Sequence, residues 1–419
     1  MVNESLAQTS NTLFNVAFVG YIVAMVAYFF RLAFTQVTAG EGGASSAAGG
    51  RGSAKGEGGA SSAAGGRGSD ERAVAGTAVG RRVGHVGTVL ASAAWLVHLG
   101  SVVARGMAAG RVPWANMYEY SSILALGAVI VGLLVVQRRF GYGHLVGFVL
   151  AAAVLSMTSG LLLFTEAGPV VPALNSYWIK IHVAAMMSAS SIFIVGFVAT
   201  ALYLVKDTAE RRTADRSGAA FAGSTVGAAH VQAPADARPE GYEADAGAPG
   251  ESGGAGVAGT LVQREALSPV LFPLIPATVV AAFALVVWRA PGTAILAGSV
   301  AALLGTASWY AVPYLPPAAR LDNLAYRTIA FAFPVLTFGV MAGAIWAEES
   351  WGRYWGWDPK ETGSFFTWVL YAAYLHARST HGWRGRRAGW IGGTAFVALM
   401  ITYYAVNLWI VGLHSYAGV

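Results

Sequence analysis

The sequence predicts an all-α protein: a polytopic membrane helix bundle of about ten transmembrane helices, with two disordered cytoplasmic insertions. Three observations predict it. Of 419 residues, 55% are hydrophobic and only 11% charged, whereas soluble domains carry about 25% charged residues. Apolar runs of bilayer-spanning length recur along the chain. The Lys and Arg residues between those runs collect on one side of the implied topology.

The first run, 12–34, has Arg31 near its end, no basic region before it and no small-residue cleavage site. It therefore reads as an anchoring helix (1–34 with its leader) and not as a cleaved signal peptide. Residues 41–53, EGGASSAAGGRGS, are repeated at 57–69. So simple a Gly/Ala/Ser repeat predicts a flexible linker over 35–82. Spans at 84–105, 118–136, 143–164 and 177–205 make a four-helix block within 83–206. Residues 207–264 are rich in Ala, Gly, Asp and Glu and nearly free of large apolar side chains. Such a loop cannot bury enough surface to offset its ordering entropy. Spans at 268–288, 292–312, 325–346, 362–378 (short) and 389–413 form a five-helix block within 265–419. All ten are expected in one bundle.

The net charge of +6 is topological. With the N-terminus outside, loops 31–82, 138–139, 206–264, 320–327 and 378–387 face the cytoplasm and hold 21 of the 27 Lys and Arg residues. The positive-inside rule accounts for this asymmetry, so no nucleic-acid partner is implied. The expected location is the cell (plasma) membrane, multi-pass. The absence of cysteine excludes disulfides, thiolate metal sites and thiol redox chemistry within the chain. Any thiol must come from a substrate or partner.

Four tryptophans, Trp346, Trp351, Trp355 and Trp357, fall within twelve residues, between two apolar runs and next to Asp358-Pro359-Lys360-Glu361. Asp as N-cap, Pro at the first helical position and Glu at the third are a helix-start signal. The tryptophans remain to be explained. Interfacial anchors are usually single, whereas these are interleaved with Gly352 and Gly356, which let a backbone approach a flat ligand. Trp351, Trp355 and Trp357 are the expected contact surface.

Eight histidines occur. His230 and His381 lie in predicted cytoplasmic loops, and His144 begins a helix beside Arg138 and Arg139. His182 follows Tyr177-Trp178 near the outer end of its span, and His414 follows a run that emerges outside. Both fall on the side of the Trp-rich segment. Two neutral imidazoles can hold a haem iron axially, and tryptophans offer the apolar surface that a porphyrin face requires. His376 lies about 22 Å along its helix from Glu361, toward the cytoplasm, at a depth where polar residues are functional candidates. His98 follows Trp95 in the second span and stands thirteen residues from His85. That spacing suits a di-haem helix, but no second helix carries a matching pair.

WGRYWGWDPKETGSF resembles the "WWD" signature of haem-handling proteins in cytochrome c maturation. The segments 84–205 and 268–417 are similar to the CcsA (ResC) family of the system II pathway, called CcsB in actinobacterial naming. The block from Trp95 to Glu119, with His98, Arg105, Gly110, Pro113 and Asn116, resembles the family's early block, and Lys180-Ile-His182, Leu375-His376 and Gly412-Leu413-His414 its histidine sites. The resemblance implies haem b as cargo and substrate, placed against Trp351, Trp355, Trp357 and Asp358 on the outer face. It implies His182 and His414 as external iron ligands and His376 as a ligand within the membrane, with His98 at a family-typical position of unassigned role. It further implies a ResB-type partner, apocytochrome c, external thiol-reducing proteins, and membership of a cytochrome c haem lyase complex with no catalytic side chain assigned. System I relatives share the motif but differ in span number or length. A di-haem electron-transfer subunit and an apolar-solute transporter are the alternatives from other classes.

Overall fold

The computed structural model describes residues 2–33, 35–37, 74–76, 78–169, 175–216, 267–380, 383 and 385–413. The repeat and most of the 207–264 loop lie outside these, as do His230, His381 and His414. Ten α-helices occur among the described residues: α1 Glu4–Ala33, α2 Ala78–Ala109, α3 Met117–Val131, α4 Val146–Leu162, α5 Tyr177–Arg216, α6 Leu271–Trp288, α7 Pro291–Ala311, α8 Ala318–Trp351, α9 Pro359–Ser379 and α10 Arg386–Trp409. Each overlaps one predicted span. A single antiparallel ladder, β1 Thr35–Val37 with β2 Val74–Gly76, joins the residues after α1 to those before α2.

Eight of the helical segments are long and apolar enough to cross a bilayer. α6 contributes a further apolar stretch, Leu271–Val286. α9 is absent from the eight because polar side chains such as Lys360, Glu361, His376 and Arg378 interrupt it. α5 overruns its predicted span where charged residues find partners. α5 continues to Arg216, about 60 Å in all at 1.5 Å per residue. Along this extension Asp207 accepts from Arg211, one turn on, and from Arg386 at the start of α10.

Small residues set the helix spacing, as expected where close backbone approach replaces hydrophobic drive. α1 lies along α2, where a Cβ on Gly20 would stand 2.8 Å from Ala94. Ser10 and Ser101 donate reciprocally to each other's carbonyls at 2.9 and 2.8 Å across this pair. α5 lies along α8, with Gly196 against Ile329 and Gly339 against Met186. Phe193 stacks on Tyr371 at 3.8 Å and Phe197 on Phe396 at 4.2 Å, which docks α9 and α10 on α5. Two apolar clusters result, one shared by α1 to α4 and a larger one uniting α3, α4, α5, α8, α9 and α10. α6 and α7 pair mainly with each other at the side of the bundle.

Candidate functional site

α8 ends at Trp351, where Gly352 takes the left-handed conformation at φ 67° that frees glycine to terminate helices. Six residues later Asp358 caps α9, with Pro359 at its first position and a complete capping box to Glu361. The helix start expected from the sequence is therefore present. The Glu361 carboxylate also gathers the intervening loop. It accepts from Gly356 N at 2.8 Å, from Asp358 N at 3.1 Å and from Arg353 Nη1 at 3.2 Å. A Cβ on Gly356 would press on the Arg353 guanidinium, which would then have to swing away from Glu361.

Beneath this loop a cavity opens between α3, α5, α8, α9 and α10, about 1360 Å³ including the part open to solvent. Its aromatic wall comprises Trp114, Tyr120, Trp346, Tyr354, Trp355 and Tyr403. Of the three tryptophans expected to contact a ligand, Trp355 alone lines this space. Trp351 packs edge-on against Trp346 at 4.8 Å, with the Arg353 guanidinium over its ring. Trp357 is 63% exposed and stands perpendicular to Trp355. Its φ of 59° is rare for a bulky side chain and costs conformational energy.

His182 projects from α5 into the same cavity. Its Nδ1 lies 2.7 Å from the Gly339 carbonyl of α8. A carbonyl only accepts, so Nδ1 carries the proton, and in the neutral ring the lone pair resides on Nε2. Orientation through the second nitrogen is the usual device for presenting a metal-binding imidazole. Gly343 makes room for the ring, because a Cβ there would lie 2.5 Å from Nδ1.

Asp358 connects a third region. Its Oδ1 accepts from Leu413 N at 2.7 Å, and a Cβ on Gly412 would stand 2.7 Å from that same oxygen. The chain following α10 is thereby tied to the Trp loop one residue before His414.

Among the described residues, three further candidate histidines lie elsewhere. His98 is fully buried between α1, α2 and α3, with Nε2 2.8 Å from Ser122 Oγ and Nδ1 3.3 Å from the Tyr21 hydroxyl. Both ring nitrogens are engaged there, and His98 does not line the cavity. His376 sits on an exposed face of α9, near the end opposite the Trp loop. His85 is likewise exposed, with Nδ1 3.0 Å from Arg81 O.

Trp114 and Lys360 line the cavity without having been anticipated as contacts. Trp114 is delivered by a buried ion cluster. Glu119 binds Arg105 at 2.9 Å and Arg111 at 2.8 Å, and accepts from Ala115 N at 2.8 Å. Arg111 Nε reaches the Gly168 carbonyl at 2.8 Å, and Arg105 donates to Thr165 O. This pins the 110–116 turn over the cavity. Lys360 lies ahead of the apolar stretch of α9, and burial pushes its ammonium down to about 8, against the opposing pull of Asp358.

The sequence pattern of the cytochrome C assembly protein family matches residues 114–414. The chain is 34% identical over 338 residues to the cytochrome c biogenesis protein CcsA of Gloeobacter violaceus, covering 79% of this chain and 86% of that one. It is 33% identical over 343 residues to CcsA of Synechococcus elongatus, at 80% and 87% coverage. CcsA of Synechocystis is 33% identical over 324 residues, at 75% and 82%. With ten α-helices among its described residues, eight of them long and apolar enough to cross a membrane, this chain belongs to the cytochrome c assembly family and is a membrane protein of cytochrome c biogenesis.

Proposed function

We propose that the chain exports haem b and holds it at the Trp-loop cavity, for covalent attachment to the Cys-x-x-Cys-His segment of apocytochrome c. His182 and His414 are the axial ligands, and Trp355, with Trp351, Trp357 and Asp358 around it, forms the WWD platform on the outer face. The observation that carries the reading is the meeting of three distant segments at one aromatic cavity. His182 lines it with its tautomer set by Gly339, and Asp358 ties Leu413, the neighbour of His414, to the Trp loop.

The chemistry follows from that arrangement. Two imidazoles hold the iron in the outer cavity, and the histidine of the acceptor segment displaces one of them. Each acceptor thiol then adds across a vinyl C=C bond. Sulfur bonds to one carbon, a proton goes to the other, and no external oxidant is consumed. Placement and ligand exchange supply most of the acceleration. The thiols must be kept reduced by external thiol-reducing proteins, since this chain has no cysteine. His376 is an inner haem ligand on the export route. Its exposure on α9 suits a second ligand supplied by a ResB-type partner. His98, with both nitrogens engaged, fixes α1 and α2 to α3 and is assigned no ligand role.

The test is haem content and cytochrome c assembly after separate changes of His182, His376 and His414 to Ala. Loss of haem and of assembly in the His182 and His414 variants is expected. Full haem and full assembly in all three would refute the assignment.

A further inference from the structure

On the haem reading above, a ligand at His376 has two ways to the outer cavity: the interior of the bundle and the outward face of α9. The interior is filled. Beyond the cavity floor at Leu124, Ser190 and Leu399, Phe193 stacks on Tyr371 at 3.8 Å and Phe197 on Phe396 at 4.2 Å. Phe193 and Tyr371 are fully buried. Closer to the cytoplasm, Arg386 pairs with Asp207 and Arg378 with Asp322 across the ends of four helices. A path through this column would have to part stacked rings and buried ion pairs together.

The outward face of α9 is open. Thr367, Tyr371, Tyr374 and Ala377 are its buried positions, whereas Phe365, Val369, Ala373 and His376 are exposed. At 3.6 residues per turn these four fall within an arc of about 80° and form one stripe about 16 Å long. The outer end of the stripe joins the cavity. The Phe365 ring lies 5.6 Å from Trp357 and 6.5 Å from Trp355, and Trp355 lines the cavity. Trp355 therefore stands between the stripe and the cavity. Trp357 is held outward at φ 59° because Glu361 accepts from the amides on both sides of it, Gly356 N and Asp358 N. An imidazole at one end, indoles at the other and apolar side chains between them suit a planar apolar ligand that carries a metal.

We propose that haem travels from His376 to the outer cavity along this stripe, over Ala373, Val369 and Phe365, and enters past Trp355. The proposal rests on the haem-export reading and deepens it by assigning the route. Ala373, Val369 and Phe365 are contact residues of the moving ligand, not iron ligands.

The test adds bulk to the exposed stripe, where a larger side chain meets no core. Ala373→Trp and Val369→Trp are compared with Val397→Trp, on the exposed surface of α10. In cell membranes, both stripe variants should lose the haem signal that depends on His182 and fail to support cytochrome c assembly. They should keep haem that disappears when His376→Ala is added. Val397→Trp should behave as wild type. Ferric haem b titrated into each purified full chain in detergent should load the His182-dependent site equally in all of them. A wild-type level of outer haem in the cells of both stripe variants overturns the inference. So does weaker binding of titrated haem by a stripe variant, since the defect then lies in the cavity. Loss of a membrane protein that co-purifies with wild type also overturns it, because the stripe is then a docking face. Failure of wild type to bind haem in either assay overturns the haem reading itself, and the inference with it.

Discussion

Asp358 does two jobs that can be separated by substitution. Its side chain caps α9, and its Oδ1 accepts the Leu413 amide at 2.7 Å. Replacing it with Ala removes an N-cap worth about 1 kcal/mol. It also removes a charge-assisted hydrogen bond worth about 1.5–3 kcal/mol. The cap loss falls on α9, whose Tyr371 and Tyr374 are fully buried, so the fold retains most of its anchoring. The anchor loss falls on the segment leading into His414. At 1.4 kcal/mol per tenfold, it lowers the presentation of His414 by about ten- to hundredfold. Asp358→Ala should therefore shift bound ferric haem from six-coordinate low-spin toward five-coordinate high-spin, read by absorbance and electron paramagnetic resonance. Added imidazole should restore the low-spin form, because it replaces a ligand without repairing the cap. Asp358→Asn retains an acceptor and a capping oxygen and should be intermediate. An Asp358→Ala protein with a wild-type low-spin spectrum and affinity would refute the link between Asp358 and His414.

Further outcomes follow from the same geometry. Gly343→Ala forces a Cβ to within 2.5 Å of His182 Nδ1, so the ring must move and its bond to Gly339 break; haem affinity should fall about 10–100-fold, as when an orienting partner of a metal ligand is lost. Glu119→Gln leaves Arg105 and Arg111 buried without their carboxylate, at a cost of about 3–5 kcal/mol. It should appear as a lower melting temperature in detergent, together with weakened haem binding, because the same turn carries Trp114. Trp355→Ala and Trp114→Ala should each reduce haem affinity more than Trp351→Ala, since the first two line the cavity and Trp351 does not; equal losses would mean that the ligand lies on another surface.

The bundle was legible because each span is a long apolar run and the basic residues between runs are unevenly shared. Helix ends were less so: α5 runs on past 205 because Asp207, Arg211 and Arg386 pair in three dimensions, which hydropathy cannot register. The start of α9 was readable to the residue, because Asp358-Pro359-Lys360-Glu361 states local chemistry that tertiary contacts then reinforce. Which tryptophans face the cavity was not readable. That depends on the positive φ of Trp357 and on Glu361 folding the loop back, and neither has a periodic signature. Trp114 was hidden for a different reason: it reaches the cavity through an ion cluster whose members come from α2, α3 and the 165–168 region. His98 and His182 looked alike as histidines of membrane helices, and only their partners distinguish an imidazole held by Ser122 and Tyr21 from one oriented into a cavity.

The central claim is that haem iron is held between His182 and His414 at the Trp loop. Electron paramagnetic resonance of the purified ferric haem complex tests it most directly. Wild type should give a low-spin bis-imidazole signal, lost in both His182→Ala and His414→Ala and recovered in each by added imidazole. An unchanged low-spin signal in either variant would contradict the account.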